Sequence, residues 1–173
     1  MTISSELADV YLGNPDGIYF IEAIDLSHTA LASDLHYTNA SFRLRARLDN
    51  SLPEAATYAP LPFNATLPSK NTDGNQSLEL SVSNVTAALV AAIDTMASAP
   101  ESPISLSYRV FLSTQKDSSG HYLNQLTPPW RYEVSAVSLT AESATMSATK
   151  INTHNRSFPR VRYTRTRFPG LAR

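Results

Sequence analysis

The side chains best suited to metal binding in this chain are four histidines, His28, His36, His121 and His154. None of them stands in an H-x-H or H-E-x-x-H spacing, which would bring two imidazoles to one metal ion. His28 and His36 are separated by a short segment that contains Asp34, and this is the one candidate for a metal site. A solvated loop explains the segment more simply, so the sequence predicts no metal and no cofactor.

Catalytic motifs are also absent from the sequence. Glu22 and Asp25 are close together, but they fall at the end of a predicted strand, where we expect surface groups. No G-x-S-x-G, P-loop or G-x-G-x-x-G segment occurs. The lack of cysteine excludes disulfides and thiolate metal sites. We therefore expect a protein that is not an enzyme.

Three arginines form the most regular charged pattern. Arg43, Arg45 and Arg47 alternate with apolar residues over positions 41–49, which is the period of a strand with one buried face. Strand geometry spaces the three guanidinium groups about 6.6 Å apart on the other face. Two interpretations stay open: a solvated or salt-bridged sheet face, and a charged subunit interface or lumen wall.

Basic residues are unevenly distributed along the chain. Residues 150–173 contain seven basic side chains and no acid, whereas residues 1–149 contain the other seven basic residues and all fifteen acids. The overall formal charge of −1 therefore hides an acidic body and a strongly basic C-terminus. Such a split predicts an acidic partner for the C-terminus: nucleic acid, the body of the same chain, or a neighbouring copy.

The basic C-terminus also contains apolar anchors, which a purely electrostatic nucleic-acid tail would not need. Near its end, an aromatic and an aliphatic side chain flank a Pro-Gly turn. Proline stiffens the segment and limits the entropy that is lost on docking. We therefore predict a docking arm that contacts another subunit. Its candidate interface residues are Arg160, Arg162, Tyr163, Arg165, Arg167, Phe168, Pro169, Gly170 and Leu171.

One long helix is predicted near residues 84–98. Leu89 and Ile93 fall on one helical face, alanines fill much of the remainder, and prolines follow the helix. Ser83 or Asn84 is the expected N-cap. A shorter helix is predicted at the N-terminus.

The remaining patterns are those of a mainly β protein. Residues 52–68 contain four prolines and are predicted to form an extended linker with an edge strand at 63–67. Residues 115–129 are predicted to form a polar loop. Further strands are predicted at 18–24, 41–49, 77–83, 104–113, 130–139 and 144–151, and the shorter helix at 4–12.

These elements predict a two-sheet β-sandwich with one flanking helix and an extended C-terminal arm. Residues 1–150 would form the body and residues 151–173 the arm. No stretch approaches the roughly 20 apolar residues of a membrane span. The N-terminus has neither a basic region nor a long apolar run, so we do not expect a signal peptide.

The segment Tyr163–Leu171, with the sequence YTRTRFPGL, is similar to the F-T-x-x-R-F-P-G-L ending of a family of tailed-phage proteins. That family is described mainly as a domain of unknown function and is found among minor tail genes. This chain has Tyr163 where phenylalanine is usual, and it continues with Ala172 and Arg173. Residues 27–39 have no counterpart in the resemblance.

The resemblance implies a structural protein at the distal end, or tip, of a long non-contractile phage tail. Proteins of this kind look like tail-tube and distal-tail subunits, which are β-sandwiches with a flanking helix. They form rings, commonly hexameric, that connect the tail tube to the central hub and fibres. The resemblance therefore implies a homo-oligomer in the virion that is assembled in the host cytoplasm. Genomic DNA would pass through the ring without specific contact.

Two other functions stay open on the residues alone. The first is a nucleic-acid-binding protein that uses the basic C-terminus. The second is a carbohydrate- or receptor-binding β-domain, which needs exposed aromatic side chains, and Tyr122 and Trp130 are its only candidates. For Trp130, which follows two prolines, a role as a core or corner anchor is the alternative.

Overall fold

The structure is a computed structural model that describes residues 2–3, 5–13, 17–50, 54–68, 77–83, 86–99, 101–140 and 143–150. The described part is mainly β, as the sequence predicts. It contains two helices, α1 (Ser5–Gly13) and α2 (Ala87–Ala97), and both lie close to their predicted positions. No helix in these ranges is long and apolar enough to cross a membrane.

Twelve strands are present in the described ranges, and most of the predicted strands are among them. The strand β11 has the predicted bounds, and β7 has the predicted alternation of buried and exposed residues. The strands are β1 (Thr2–Ile3), β2 (Phe20–Ser27), β3 (Leu35–Thr38), β4 (Leu44–Arg47), β5 (Ala55–Pro60), β6 (Phe63–Thr66), β7 (Ser77–Ser83), β8 (Ser105–Lys116), β9 (Tyr122–Asn124), β10 (Leu126–Thr127), β11 (Trp130–Leu139) and β12 (Ser143–Thr149).

Six of these strands close into a barrel in the order β2–β3–β5–β4–β9–β8, because β8 pairs back onto β2. An open antiparallel sheet continues from β8 through β11, β12 and β7 to the edge strand β6. The two-sheet arrangement that the sequence predicts is therefore replaced by a closed six-strand barrel with additional strands. Closure depends on β3 and β5, which were not predicted, and on β9, which lies within the predicted polar loop.

The long strand β8 belongs to both parts of the fold and separates two cores. On one face, Leu106, Tyr108 and Leu112 are buried in the larger core, which also contains the inner face of the open sheet. On the other face, Phe111 packs in the smaller core inside the barrel. The smaller core consists of Ile21, Ala23, Leu44, Ala46, Ala56, Tyr58 and Phe111.

Helix α2 contributes its apolar face to the larger core, as predicted. Leu89 and Ile93 are buried there together with Met96. The N-cap is Thr86, whose hydroxyl accepts a hydrogen bond from the Leu89 backbone N–H. The prediction of Ser83 as the cap is wrong, because Ser83 is the last residue of β7. The other predicted cap, Asn84, lies outside the described residues.

Candidate functional site

The predicted arginine row lies on and beside β4, where Leu44 and Ala46 point into the barrel. Arg43 and Arg45 are exposed, whereas Arg47 is half-buried and forms an ion pair with Asp117 across 2.6 Å. The row is therefore divided. One arginine joins β4 to the loop after β8, and two remain on the surface as candidates for a charged interface or lumen face.

The carboxylate that binds Arg47 is fixed by its own loop. Asp117 Oδ1 accepts hydrogen bonds from the backbone N–H groups of Ser119, at 2.8 Å, and His121, at 2.9 Å. Gly120 supports this tight turn with a φ of 80°. Loss of solvent alone would raise the pKa of Asp117, but these N–H groups and the Arg47 guanidinium lower it to about 2. The loop therefore holds a charged carboxylate in place for Arg47.

Inside the barrel, Asp25 and Arg109 form a second, more deeply buried ion pair. Arg109 Nε donates to Asp25 Oδ2 at 2.6 Å, and each residue is 7% exposed. His36 Nδ1 lies 2.8 Å from the other Asp25 oxygen. Arg109 Nη1 also donates to the backbone carbonyl of Leu48. One buried carboxylate thus joins β2, β3 and β8, and Arg109 extends the network to the end of β4.

The structure corrects three predictions about these residues and the nearby His28. Asp25 is not a surface group at a strand end, because β2 extends to Ser27 and places Asp25 within the barrel wall. His36 is not in a solvated loop, since it lies on β3. His28 is also buried, where its ring nitrogens contact the Ser102 carbonyl and the Ala30 N–H.

Asp25 remains ionised within this network although it is buried. Desolvation raises its pKa, but the hydrogen bond with His36 and the positive charge of Arg109 outweigh that effect and lower it. Tyr58 lies nearby, with its ring 5.2 Å from that of His36. Burial and the Asp25 charge raise the pKa of Tyr58. Its hydroxyl has no hydrogen-bond partner among the described residues, so Asp25 acts on it through its charge rather than through an aligned bond.

A cavity of about 300 Å³ lies beside Arg109, next to the start of β11. Its polar lining includes Asn50 and Asn124, which join the segment after β4 to the end of β9. Asn50 Nδ2 donates to the Asn124 carbonyl at 2.8 Å, and the Asn124 N–H donates back to Asn50 Oδ1 at 3.0 Å. These bonds keep the cavity walls in place. The other lining residues are Leu48, Asp49, Leu126, Pro128, Pro129 and Arg131.

The sequence profile of the family described as "Domain of unknown function (DUF1833)" matches residues 13–163. This chain belongs to the DUF1833 family. The match covers the body from the end of α1 to the last strand and reaches Tyr163, but it does not include Phe168–Leu171. No curated protein matches this sequence.

The interface residues predicted for the arm of this DUF1833 chain, Arg160 to Leu171, lie outside the described residues. Trp130 is half-buried and stacks on Tyr108, with ring centroids 5.9 Å apart. Tyr122 is also half-buried, and the Lys116 ammonium lies 4.4 Å above its ring. Both aromatic candidates therefore have internal packing partners.

The cavity and the buried ion network were not predicted as a site. Arg109 was visible in the sequence only as one member of the second face of a strand. The signal that identifies it is its position beside Tyr108, Val110 and Phe111 in a predicted strand, because an arginine there is seldom buried without an acidic partner. No cluster of histidine, aspartate or glutamate that could hold a metal ion occurs within the described ranges.

Proposed function

We propose that this protein is a structural component of the tail tip of a long non-contractile phage tail. It forms a ring, expected to be hexameric, that connects the tail tube to the central hub and fibres. The observation that carries this proposal is the YTRTRFPGL ending at Tyr163–Leu171 on a chain of the DUF1833 family. The protein is assembled in the host cytoplasm and is part of the virion.

The body supplies an architecture that suits a ring subunit of the tail-tube or distal-tail type. A barrel, an open sheet and one longer helix form the body, and β12 is the last strand before the arm in the sequence. The body surface also suits a basic arm. Seven acids are exposed on it, namely Asp9, Asp34, Asp49, Glu54, Glu79, Asp94 and Glu101.

In the proposed ring, the arm lies across a neighbouring copy or the hub. Its arginines pair with carboxylates there, and Phe168 and Leu171 fill apolar pockets. An arm of this kind contributes little through exposed ion pairs alone, which are worth about 0–1 kcal/mol each. The two apolar anchors therefore supply most of the affinity.

The outward face of β6, β7 and β12, the part of the open sheet farthest from the barrel, suits a surface past which DNA moves. The strands β6, β7 and β12 contain one charged residue, Glu79, among many hydroxyl and amide side chains. A surface without cations releases no counterions from DNA and therefore does not retain it. The exposed outward residues of these strands are Asn64, Thr66, Ser77, Glu79, Ser81, Ser83 and Thr145.

The decisive experiment is electron microscopy of particles assembled with this protein. We expect a ring at the tail tip in which residues 155–173 are ordered against a neighbouring subunit, with Phe168 and Leu171 buried. A double variant, Phe168→Ala and Leu171→Ala, should reduce incorporation into particles. The matched control is Leu12→Ala, since Leu12 is an exposed leucine on α1. Absence of the protein from wild-type particles would refute the proposal.

A nucleic-acid-binding protein is the second candidate, and the seven basic residues after Thr149 favour it. The surface of the described body argues against DNA binding, because its seven exposed acids outnumber its five exposed basic residues. These basic residues are Arg43, Arg45, Lys116, Arg131 and Lys150. A solution measurement distinguishes the two functions. If the arm binds DNA, its affinity for DNA should fall steeply as the salt concentration rises. The two aromatic candidates for a receptor-binding β-domain, Tyr122 and Trp130, are half-buried, and the exposed aromatic residues of the described body are Tyr19 and Phe42.

A further inference from the structure

The cavity beside Arg109 lies where strand register brings two arginines to one face of the sheet. Asp25 and Arg131 both pair with Ser107, from opposite sides of β8, so the three residues form one row across β2, β8 and β11. Arg109 follows Ser107 by two positions and therefore projects from the same face. Arg109 and Arg131 both line the cavity.

Arg109 is fixed in position but does not use all its donors. A guanidinium has five N–H groups, and Arg109 directs one to Asp25 and one to the Leu48 carbonyl. Three donors remain on a side chain that is 8% exposed and borders the cavity. An acceptor that enters the cavity can therefore take hydrogen bonds from a charged donor group, and such bonds are stronger than those between neutral groups.

Arg131 stands at the same cavity as an exposed guanidinium. Within the part of the chain that the structure describes, this side chain makes no ion pair or hydrogen bond. The two arginines differ in mobility. Arg109 is held in place by its hydrogen bonds, whereas the Arg131 side chain can move toward a bound group. Preorganised donors lose less conformational entropy on binding.

We propose that this cavity binds a carboxylate, the side chain of an aspartate or glutamate in an acidic segment of a partner protein. The fork of a guanidinium matches the two oxygens of a carboxylate. Leu126, Pro128 and Pro129 supply apolar walls for the aliphatic part of such a segment. The volume lies at the lower end of the range for ligand pockets, about 300–1,000 Å³, which suits one or two side chains.

The charges near the cavity favour a carboxylate over a phosphate. Asp25 already neutralises part of the Arg109 charge, and Asp49 lines the cavity as well. A doubly charged phosphate is repelled by these carboxylates more strongly than a singly charged carboxylate. This inference is independent of the proposed tail-tip function, because it rests only on residues of the described body.

The test is an NMR titration of the ¹⁵N-labelled full chain with N-acetyl-glutamate N-methylamide and with the isosteric glutamine compound. We expect the glutamate compound to shift the Arg109 and Arg131 Nε–H signals and the Asn50 and Asn124 amides, and the glutamine compound to leave them unchanged. Arg131→Gln should weaken binding by roughly tenfold or more, because it removes the charged donor of a hydrogen bond and each tenfold corresponds to about 1.4 kcal/mol. Arg45→Gln, which removes an exposed arginine outside the cavity, should have no effect.

Three results would overturn the proposal. The first is an equal response to the glutamate and glutamine compounds. The second is a response confined to Arg43 and Arg45, which indicates nonspecific attraction to exposed cations. The third is stronger binding of inorganic phosphate than of the glutamate compound at these signals, which makes the cavity a phosphate site instead.

Discussion

Arg109 and Asp25 form an ion pair across two adjacent strands of the barrel, with 2.6 Å between Nε and Oδ2. They are 84 positions apart in the chain. Both charges have lost most of their hydration, and the attraction between them offsets that cost only while both are present. The pair therefore matters more through the penalty of breaking it than through its net contribution to stability.

Breaking this pair from either side should be strongly destabilising. We expect Asp25→Asn and Arg109→Met each to lower the free energy of unfolding by about 3–5 kcal/mol, because each leaves an uncompensated buried charge. The double variant should lose much less than the sum of the two. Urea denaturation measures all three, with Asp34→Asn, an exposed acid, as the control. Additive effects of the two substitutions would contradict the coupling.

Stability should fall in acid as Asp117 is protonated. Its pKa is lowered from 3.8 to about 2 in the folded protein, so the unfolded chain takes up the proton first. The contribution of Asp117 is therefore present above pH 3.8 and is lost as the pH falls toward 2. The lowered pKa of Asp25 acts in the same direction.

Urea unfolding between pH 5 and pH 2 checks this dependence. Asp117→Asn should remove part of the decline, and Arg47→Gln should remove a smaller part, since the backbone N–H of His121 still stabilises the carboxylate. A wild-type decline that is unchanged in Asp117→Asn would show that other groups are responsible.

Removing the hydroxyl group from two buried tyrosines should change the free energy of unfolding in opposite directions. Tyr58 is fully buried and its hydroxyl has no partner among the described residues, so Tyr58→Phe should be neutral or stabilising by up to about 1–3 kcal/mol. The Tyr108 hydroxyl donates to Glu22 at 2.7 Å, so Tyr108→Phe should cost about 1 kcal/mol or more. Thermal and urea unfolding of both variants make the comparison. A clear loss of stability in Tyr58→Phe would mean that a water satisfies this hydroxyl.

The sequence predicts well those strands in which one face is buried and the other is exposed. In β7, Leu78, Leu80 and Val82 alternate with polar residues, and the structure confirms the strand. β3 and β5 were missed because their patterns are less regular, and β5 ends in Pro60 within a proline-rich segment. Barrel closure depends on the parallel pairing of β3 with β5 and on the pairing of β8 with β2, which no local pattern reveals.

The candidate sites also differ in how much of each could be predicted from the sequence. The arginine row was visible because Arg43, Arg45 and Arg47 are close together in sequence, although the partner of Arg47, Asp117, was not. The buried network and the cavity are formed by residues from distant strands, so their chemistry appears only after folding. The docking arm rests on sequence alone and stays a prediction.

The N-cap of α2 offers the last prediction, because the sequence predicted Ser83 or Asn84 as the cap and the structure has Thr86 there. Thr86 has an extended backbone, and its hydroxyl accepts from the Leu89 N–H at 3.4 Å, a long bond that the Thr86 carbonyl shares at 3.0 Å. Thr86→Ala should therefore cost about 0.5–1 kcal/mol, the lower part of the usual range. Ser83→Ala, at the exposed end of β7, is the matched control and should change stability by less than about 0.5 kcal/mol. If urea unfolding showed the larger loss for Ser83→Ala, the helix would begin earlier than the structure places it.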